Sequence, residues 1–518
     1  MVTPPKPDLS PSGRPLFEQV GRNILSNWFA LAFAAVIAFF LAPFIVNKLG
    51  DAAYGIWILI GSVTGYLGLL DFGVRGATMR YVSRAHAQAD HTEASRIATS
   101  SLAIFTVTGA IAFLIALGVA AFALPYFNIP AERLREAQFV LTIAGMTVAS
   151  SLVSGVFGGV VVGMLRHDLA NLIEVLATIV RTVAVVAALN AGQGIMALAL
   201  INLGASLLTC LSYAVLSFRL YPQLKVRRAY SDWAHVRTVY SFGFFLLLLH
   251  FSDYLIFHTD SIVIGAFLPV SQVTYYAIGG NLILYARSLL AGVSTTMTPA
   301  VSRLHAIDDM DAVRRALLFA ARLAAFAMLP VTISFLLRGS TFISLWMGPA
   351  YGELSGAVLA VLALPYLFAP ANQVAGSAAL GMGLQKRIVP VRFAEALANL
   401  GLSVWLVQSL GIIGVAWGTV IPGLLVALVF WPWFLRRNLQ VPILEYVTKA
   451  WARPILAAAP FAAASYAIER WWPAANLTVF FAQVALILPL VAPGYWYLCL
   501  TREERSKLVE KYLRRKRP

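Results

Sequence analysis

Ionisable residues standing inside long apolar runs fall into two chemical kinds. Arg181, Arg287, Arg322 and Arg392 are the basic ones. A planar guanidinium binds phosphate-type oxygens bidentately and stays protonated when desolvated, so these four are the candidates to hold an oxyanion. Glu174, His250, Asp253 and Asp260 suit a coupling ion instead. An apolar site favours the neutral form of a carboxylate, which equips Asp253 or Asp260 to take up and release a proton, with His250 to relay it. Each such charge costs about 2.5 to 3.5 kcal/mol at the centre of a membrane helix, so each should face a cavity or a partner.

Spacing weighs these readings against plainer ones. Glu174 and Arg181 are seven residues apart, about 20° on a helical face, and Arg392 precedes Glu395 by three. Both sets are equally read as structural ion pairs. His250, Asp253 and Asp260 fall within an arc of about 80°. Arg287 and Arg322 have no acidic residue three or four positions away, which favours a substrate role for both. Asp71 and Arg75, four apart at a helix end, read as helix-stabilising.

The elements that must position these charges are membrane helices. The chain has 518 residues, 60% hydrophobic and only 12% charged, with a mean hydropathy of +0.78. A soluble protein averages about 25% charged residues. Apolar runs long enough to span a bilayer number about fourteen, which predicts an all-α polytopic membrane protein. The order is a polar, Pro-rich segment (1–22) with no cleavable leader, six helices (23–218), a basic connector (219–237), six more helices (238–437), two further helices (438–500) and a basic tail (501–518). Pro365 and Pro370, before Asn372 and Gln373, predict a bent, cavity-lining tenth helix. Cys210 and Cys499 lie in apolar runs without ligand-spaced neighbours, so neither a disulfide framework nor a metal site is expected.

Charge then gives an orientation. On alternate sides of these helices the loops and termini carry 30 and 5 of the 39 basic residues. By the positive-inside rule both termini are cytoplasmic. The net charge of +16 is thereby explained as topology, with no nucleic-acid partner. Lys511 to Arg517 should rest on anionic headgroups.

A repeat is written into the two halves. Val82-Ser83-Arg84-Ala85-His86-Ala87 recurs as Val301-Ser302-Arg303-Leu304-His305-Ala306, a displacement of 219 residues, and Arg96 matches Arg315. Gly163 and Gly194 match Gly383 and Gly414 at 220. The expectation is two homologous six-helix lobes of the same orientation, a transporter architecture.

Leu69-Leu70-Asp71-Phe72-Gly73-Val74-Arg75-Gly76-Ala77, with Leu345-Trp346-Met347-Gly348 and Tyr351, carries a family likeness. Over roughly residues 20–440 the chain resembles the polysaccharide-transport branch of the multidrug, oligosaccharidyl-lipid and polysaccharide exporter superfamily, the O-antigen and exopolysaccharide flippases. The resemblance implies a V-shaped pair of bundles around a cationic cavity, in a bacterial inner membrane. It also implies an undecaprenyl-pyrophosphate-linked oligosaccharide as substrate, and a polysaccharide polymerase or glycosyltransferase as partners. Arg322, Arg287, Arg181 and Arg392 then become the expected pyrophosphate ligands. No cofactor is indicated beyond a coupling proton or sodium ion. An ion-coupled drug exporter on the same fold would want an acidic cavity. A membrane polymerase or ligase would want a large outer loop, and the outer loops here are short. The expected activity is transport, not catalysis.

Overall fold

The computed structural model describes residues 16–227, 230, 244–294 and 296–506. Residues 1–15, part of the basic connector and the tail from 507 onward, including Lys511 to Arg517, lie outside the described residues. Among the described residues the fold is helical, without strands. Nine helices there are long and apolar enough to cross a membrane. With the shorter apolar helix Phe33–Leu49 they make ten among the described residues, short of the expected fourteen.

Two compact units divide the chain: Met1–Tyr254 with Gly265–Thr274, and Leu255–Ile264 with Tyr275–Pro518. The first contains α1 (Leu16–Leu49), α2 (Asp51–Gly68), α3 (Val74–Ala87), α4 (His91–Gly118), α5 (Ala131–Gly163), α6 (His167–Asn190) and α7 (Ile195–Leu220). Lipid tails are as apolar as leucine, so membrane helices associate through close packing, which small residues permit. Helix α5 is built that way. A Cβ on Gly145 would stand 2.5 Å from Ala116 of α4, and one on Gly163 would stand 2.9 Å from the Met79 carbonyl of α3. Between α2 and α3 the chain breaks: Leu69–Asp71 is a 3-10 turn, and Phe72 (φ 48°) and Gly73 (φ 75°) are left-handed. That conformation is unusual for a bulky residue such as Phe72.

In the second unit the same device recurs with other residues. Helices α8 (Phe244–Phe267) and α9 (Ser271–Ser294) supply segments to it, followed by α10 (Met297–Ala306), α11 (Met310–Met347) and α12 (Pro349–Ala363). Gly356 of α12 lies against Ser340 of α11, where a Cβ would come within 2.7 Å of backbone. A 3-10 turn at Leu364–Leu367 separates α12 from α13 (Ala369–Gly381), so the bend expected at Pro365 and Pro370 is present. Asn372, however, is buried and accepts a hydrogen bond from Tyr446 at 2.8 Å, which makes it a packing residue. Helix α14 (Gln385–Leu425) folds back on itself at Gly411 (φ 58°). Its two arms touch, since a Cβ on Gly418 would stand 2.3 Å from Ser403 Oγ. Then come α15 (Trp431–Leu439), α16 (Arg453–Trp471) and α17 (Leu477–Ile487).

Local geometry repeats between the units. Ala89 and Asp308 are both left-handed, with φ of 56° and 59°. The next residues, Asp90 and Asp309, each cap a helix by accepting from the backbone N–H three positions on, at 2.9 Å. Gly192 and Gly411, also 219 residues apart, share a positive φ. One sequence anchor shifts: Gly163 faces Met79 and Ser83, while the residue facing their counterparts Thr298 and Ser302 is Gly381. The left-handed Gly383 corresponds to Leu165, and the 220-residue match of Gly163 to Gly383 is corrected to 218.

Candidate functional site

In the second unit, α8, α9 and α14 bring together a buried carboxylate and its polar neighbours. Asp260 accepts from the Tyr276 hydroxyl, and from Thr419 Oγ1 at 2.9 Å. Asn399 stands one link further, donating to Thr419 at 2.9 Å and reaching the Ile256 carbonyl at 3.4 Å. The fold-back at Gly411 makes this possible, because it sets Asn399 and Thr419, twenty residues apart, side by side. Two acceptors of the cluster, Asp260 Oδ1 and Asn399 Oδ1, are buried without a hydrogen-bond partner. Buried acceptors are rarely left so, and oxygens of this type bind a proton or a small hard cation.

The other expected ion-coupling residues do not join Asp260. His250 is exposed and Asp253 is half-buried, with interactions of its own. Ten residues of helix put His250 about 15 Å from Asp260, too far for one proton relay. Glu174, on α6, accepts from the Tyr213 hydroxyl at 3.0 Å and does not pair with Arg181. Arg181 is exposed in the middle of α6.

The four arginines separate in the same way. Arg287 is half-buried, its guanidinium 4.1 Å from the centre of the Phe257 ring, a cation–π contact one turn of α8 before Asp260. Arg392 pairs with Glu395 at 2.6 Å, and Glu395 lies one turn before Asn399. The structural reading of that pair is therefore what the geometry shows. Arg322 overturns the expectation of an unpaired charge. Its Nε donates to the Leu318 carbonyl at 3.1 Å, Nη1 to the Cys499 carbonyl, and Nη1 and Nη2 grip Glu504 at 3.2 and 2.7 Å. The acid that neutralises it comes from 182 residues away, so an i±4 search could not find it.

A fifth intramembrane arginine was missed. Arg338 lies within α11, fully buried, though a shorter helix placed it in an outer loop. It pairs with Glu469 at 3.1 Å, donates to Gln483 and covers the Phe480 ring at 4.5 Å. The long α11 begins at the Asp309 cap and runs unbroken to Met347, so only its length could have revealed Arg338 as a membrane charge.

With this geometry in hand, the likenesses of the chain can be placed. The model of the family described as "Polysaccharide biosynthesis protein" matches residues 20–305, more than half of the chain. The chain belongs to that family. A Shigella flexneri protein named "Putative O-antigen transporter" is 21% identical over 423 residues, 81% of this family member and 98% of the relative. The "Probable flippase AglR" of Haloferax volcanii is 24% identical over 383 residues, 73% and 75% of the two chains. Among solved structures, the lipid II flippase MurJ in an inward closed conformation superposes with a TM-score of 0.69. It is 13% identical and covers 91% of this chain and 97% of MurJ. At that identity the likeness speaks for the fold alone, which is the helical transporter fold expected.

Proposed function

We propose that this protein is a flippase for an undecaprenyl-pyrophosphate-linked oligosaccharide, a repeat unit of an O-antigen or exopolysaccharide. It would move this substrate from the cytoplasmic to the periplasmic leaflet of a bacterial inner membrane by alternating access of two six-helix lobes, 23–218 and 238–437. The observation that carries the reading is membership of the polysaccharide biosynthesis family by a multi-pass membrane chain with arginines inside its spans. Arg287 and Arg181 remain the ligands proposed from the first reading, and Arg392 leaves the set because Glu395 holds it at 2.6 Å. Arg322 leaves the set because its guanidinium is held by Glu504 and two carbonyls. In this reading a polymerase or glycosyltransferase hands over or receives the glycan.

Asp260 is the residue we propose for coupling. Its buried, unpartnered Oδ1, in a cluster that also holds the unpartnered Oδ1 of Asn399, suits a proton or sodium ion. Asp260→Asn keeps the hydrogen bonds and removes the charge. In a strain lacking its own copy, this variant should reach normal membrane levels yet restore little surface glycan. Undiminished glycan would remove Asp260 from coupling. If deleting the gene left the glycan intact and made cells sensitive to cationic drugs, the drug-exporter reading would replace this one.

A further inference from the structure

An arginine outside the expected set has the geometry of a ligand. Arg75 is the second residue of α3, just past the break at Phe72 and Gly73. Asp71 is not its strong partner: the carboxylate caps α3 by accepting from the Arg75 backbone N–H at 3.1 Å, while the side-chain pair is 3.9 Å apart. A pair that long and exposed holds a side chain weakly. The guanidinium instead lies along α5, where Nη2 approaches the Ser151 carbonyl at 3.5 Å. Its seat is made by Gly155, since a Cβ there would stand 3.0 Å from Nε and 3.2 Å from Nη2. One turn along α5, Gly158 meets the Tyr213 ring. The side chain keeps 55% exposure, so the guanidinium, with five donors, is accessible to a ligand.

Depth identifies what should meet it. Asp51 begins α2, whose 18 residues rise about 27 Å, close to a hydrocarbon core of about 30 Å, and Arg75 follows beyond the 3-10 turn at Leu69–Asp71. Arg75 therefore lies at headgroup level, on the side that the charge bias assigns to the cytoplasm. With Asp71 already on the Arg75 amide at the start of α3, the anion site here is the guanidinium and not the helix end.

We propose that Arg75 binds the diphosphate of the carrier lipid as it enters from the cytoplasmic leaflet, with Gly155 as the gap that lets it do so. The proposal rests on the flippase reading and adds a residue to it. The test uses the full chain in nanodiscs of phosphatidylethanolamine and phosphatidylglycerol, titrated with a fluorescent polyprenyl diphosphate and its monophosphate. Wild type should prefer the diphosphate, and Arg75→Ala should weaken it by about tenfold, the scale of one charge-assisted bidentate pair. Gly155→Ala should weaken binding several-fold by displacing only the guanidinium, and should add nothing to Arg75→Ala. Asp71→Asn keeps a capping oxygen and removes a negative charge, so it should preserve or tighten binding. A merely structural Asp71–Arg75 pair would instead make it resemble Arg75→Ala. Wild-type binding with unchanged affinity in both Arg75→Ala and Gly155→Ala overturns the role of Arg75 and leaves the flippase reading standing. Failure of the wild type to bind the probe, with glycan export unaffected by deleting the gene, overturns both. Phosphatidylglycerol competing as well as the diphosphate would show an ordinary headgroup contact and would also overturn the proposal.

Discussion

At the scale of single residues, Arg322 shows how a charge can look functional in sequence and be structural in the fold. Removing one partner of a buried pair leaves the other uncompensated, which is where such pairs exert their largest effect. Glu504 keeps a quarter of its side-chain exposure, so the loss is discounted to about 2 kcal/mol. Burial alone would raise the Glu504 carboxyl, but the Thr501 amide and the Arg322 guanidinium outweigh it and hold it below the ordinary glutamate range. A depressed folded pKa gives stability that is present above the unfolded value, about 4.3, and is lost as pH falls through the folded one. Detergent-solubilised wild type should therefore melt above Glu504→Gln at neutral pH, with the gap closing as pH drops below about 4.3. A gap independent of pH would mean that packing around Cys499, and not the ion pair, sets the difference. Arg322→Ala should reduce the amount of folded protein in the membrane more than the diphosphate affinity of what remains.

Two such ties organise an element. Arg322 and Arg338 are sixteen residues apart on α11, about 24 Å along its axis, and each meets a glutamate from the last two helices or just beyond them. Glu469 at the end of α16 binds Arg338, with Thr341 donating to its second oxygen, while Gln483 of α17 takes another Arg338 donor. The apolar faces of α11 and α16 pack between these ties, through Ala325, Leu329, Ala458 and Phe461. Glu469→Gln should cost about 3 kcal/mol, because the guanidinium it faces has no exposure. Replacing both partners with leucine should recover much of that loss, as well-packed apolar substitutes for buried pairs often do. Equal destabilisation by the single and double changes would show that the site depends on polarity itself. Here lies the boundary of what sequence could tell. The apolar runs, the Val82 and Val301 repeat and the basic bias are local signals and were legible. The partners of Arg322, Arg338 and Asp260 come from 182, 131 and 159 residues away, and only tertiary packing selects them. Asp71 and Arg75 were legible as a helix-end pair, and Asp71 does cap α3, but the seat that Gly155 of another helix gives the guanidinium was not legible.

For the molecule as a whole, the ties in the second unit also constrain sidedness. Arg322 lies in the early turns of α11, near the link Ile307–Asp309, and it holds Cys499 and Glu504; Arg338 lies toward the other end and holds Glu469, next to the turn after Trp471. The link before α11 and the segment after Cys499 are therefore on one side of the membrane, and the turn at Trp472 is on the other. Arg338 was one of the five basic residues assigned to the outer side, and its burial within α11 leaves four there against 30. The positive-inside bias consequently points the Asp308 and Glu504 side toward the cytoplasm more firmly than the loop count alone. Reporters inserted at Asp308 and fused after Pro518 should both behave as cytosolic, and one inserted at Pro473 as periplasmic. Disagreement between the reporters at Asp308 and Pro518 would break the helix pairing described for α11, α16 and α17. Agreement of those two on the periplasmic side, with Pro473 cytosolic, would keep the pairing and reverse the orientation, moving Arg75 to the outer leaflet and removing it from substrate entry.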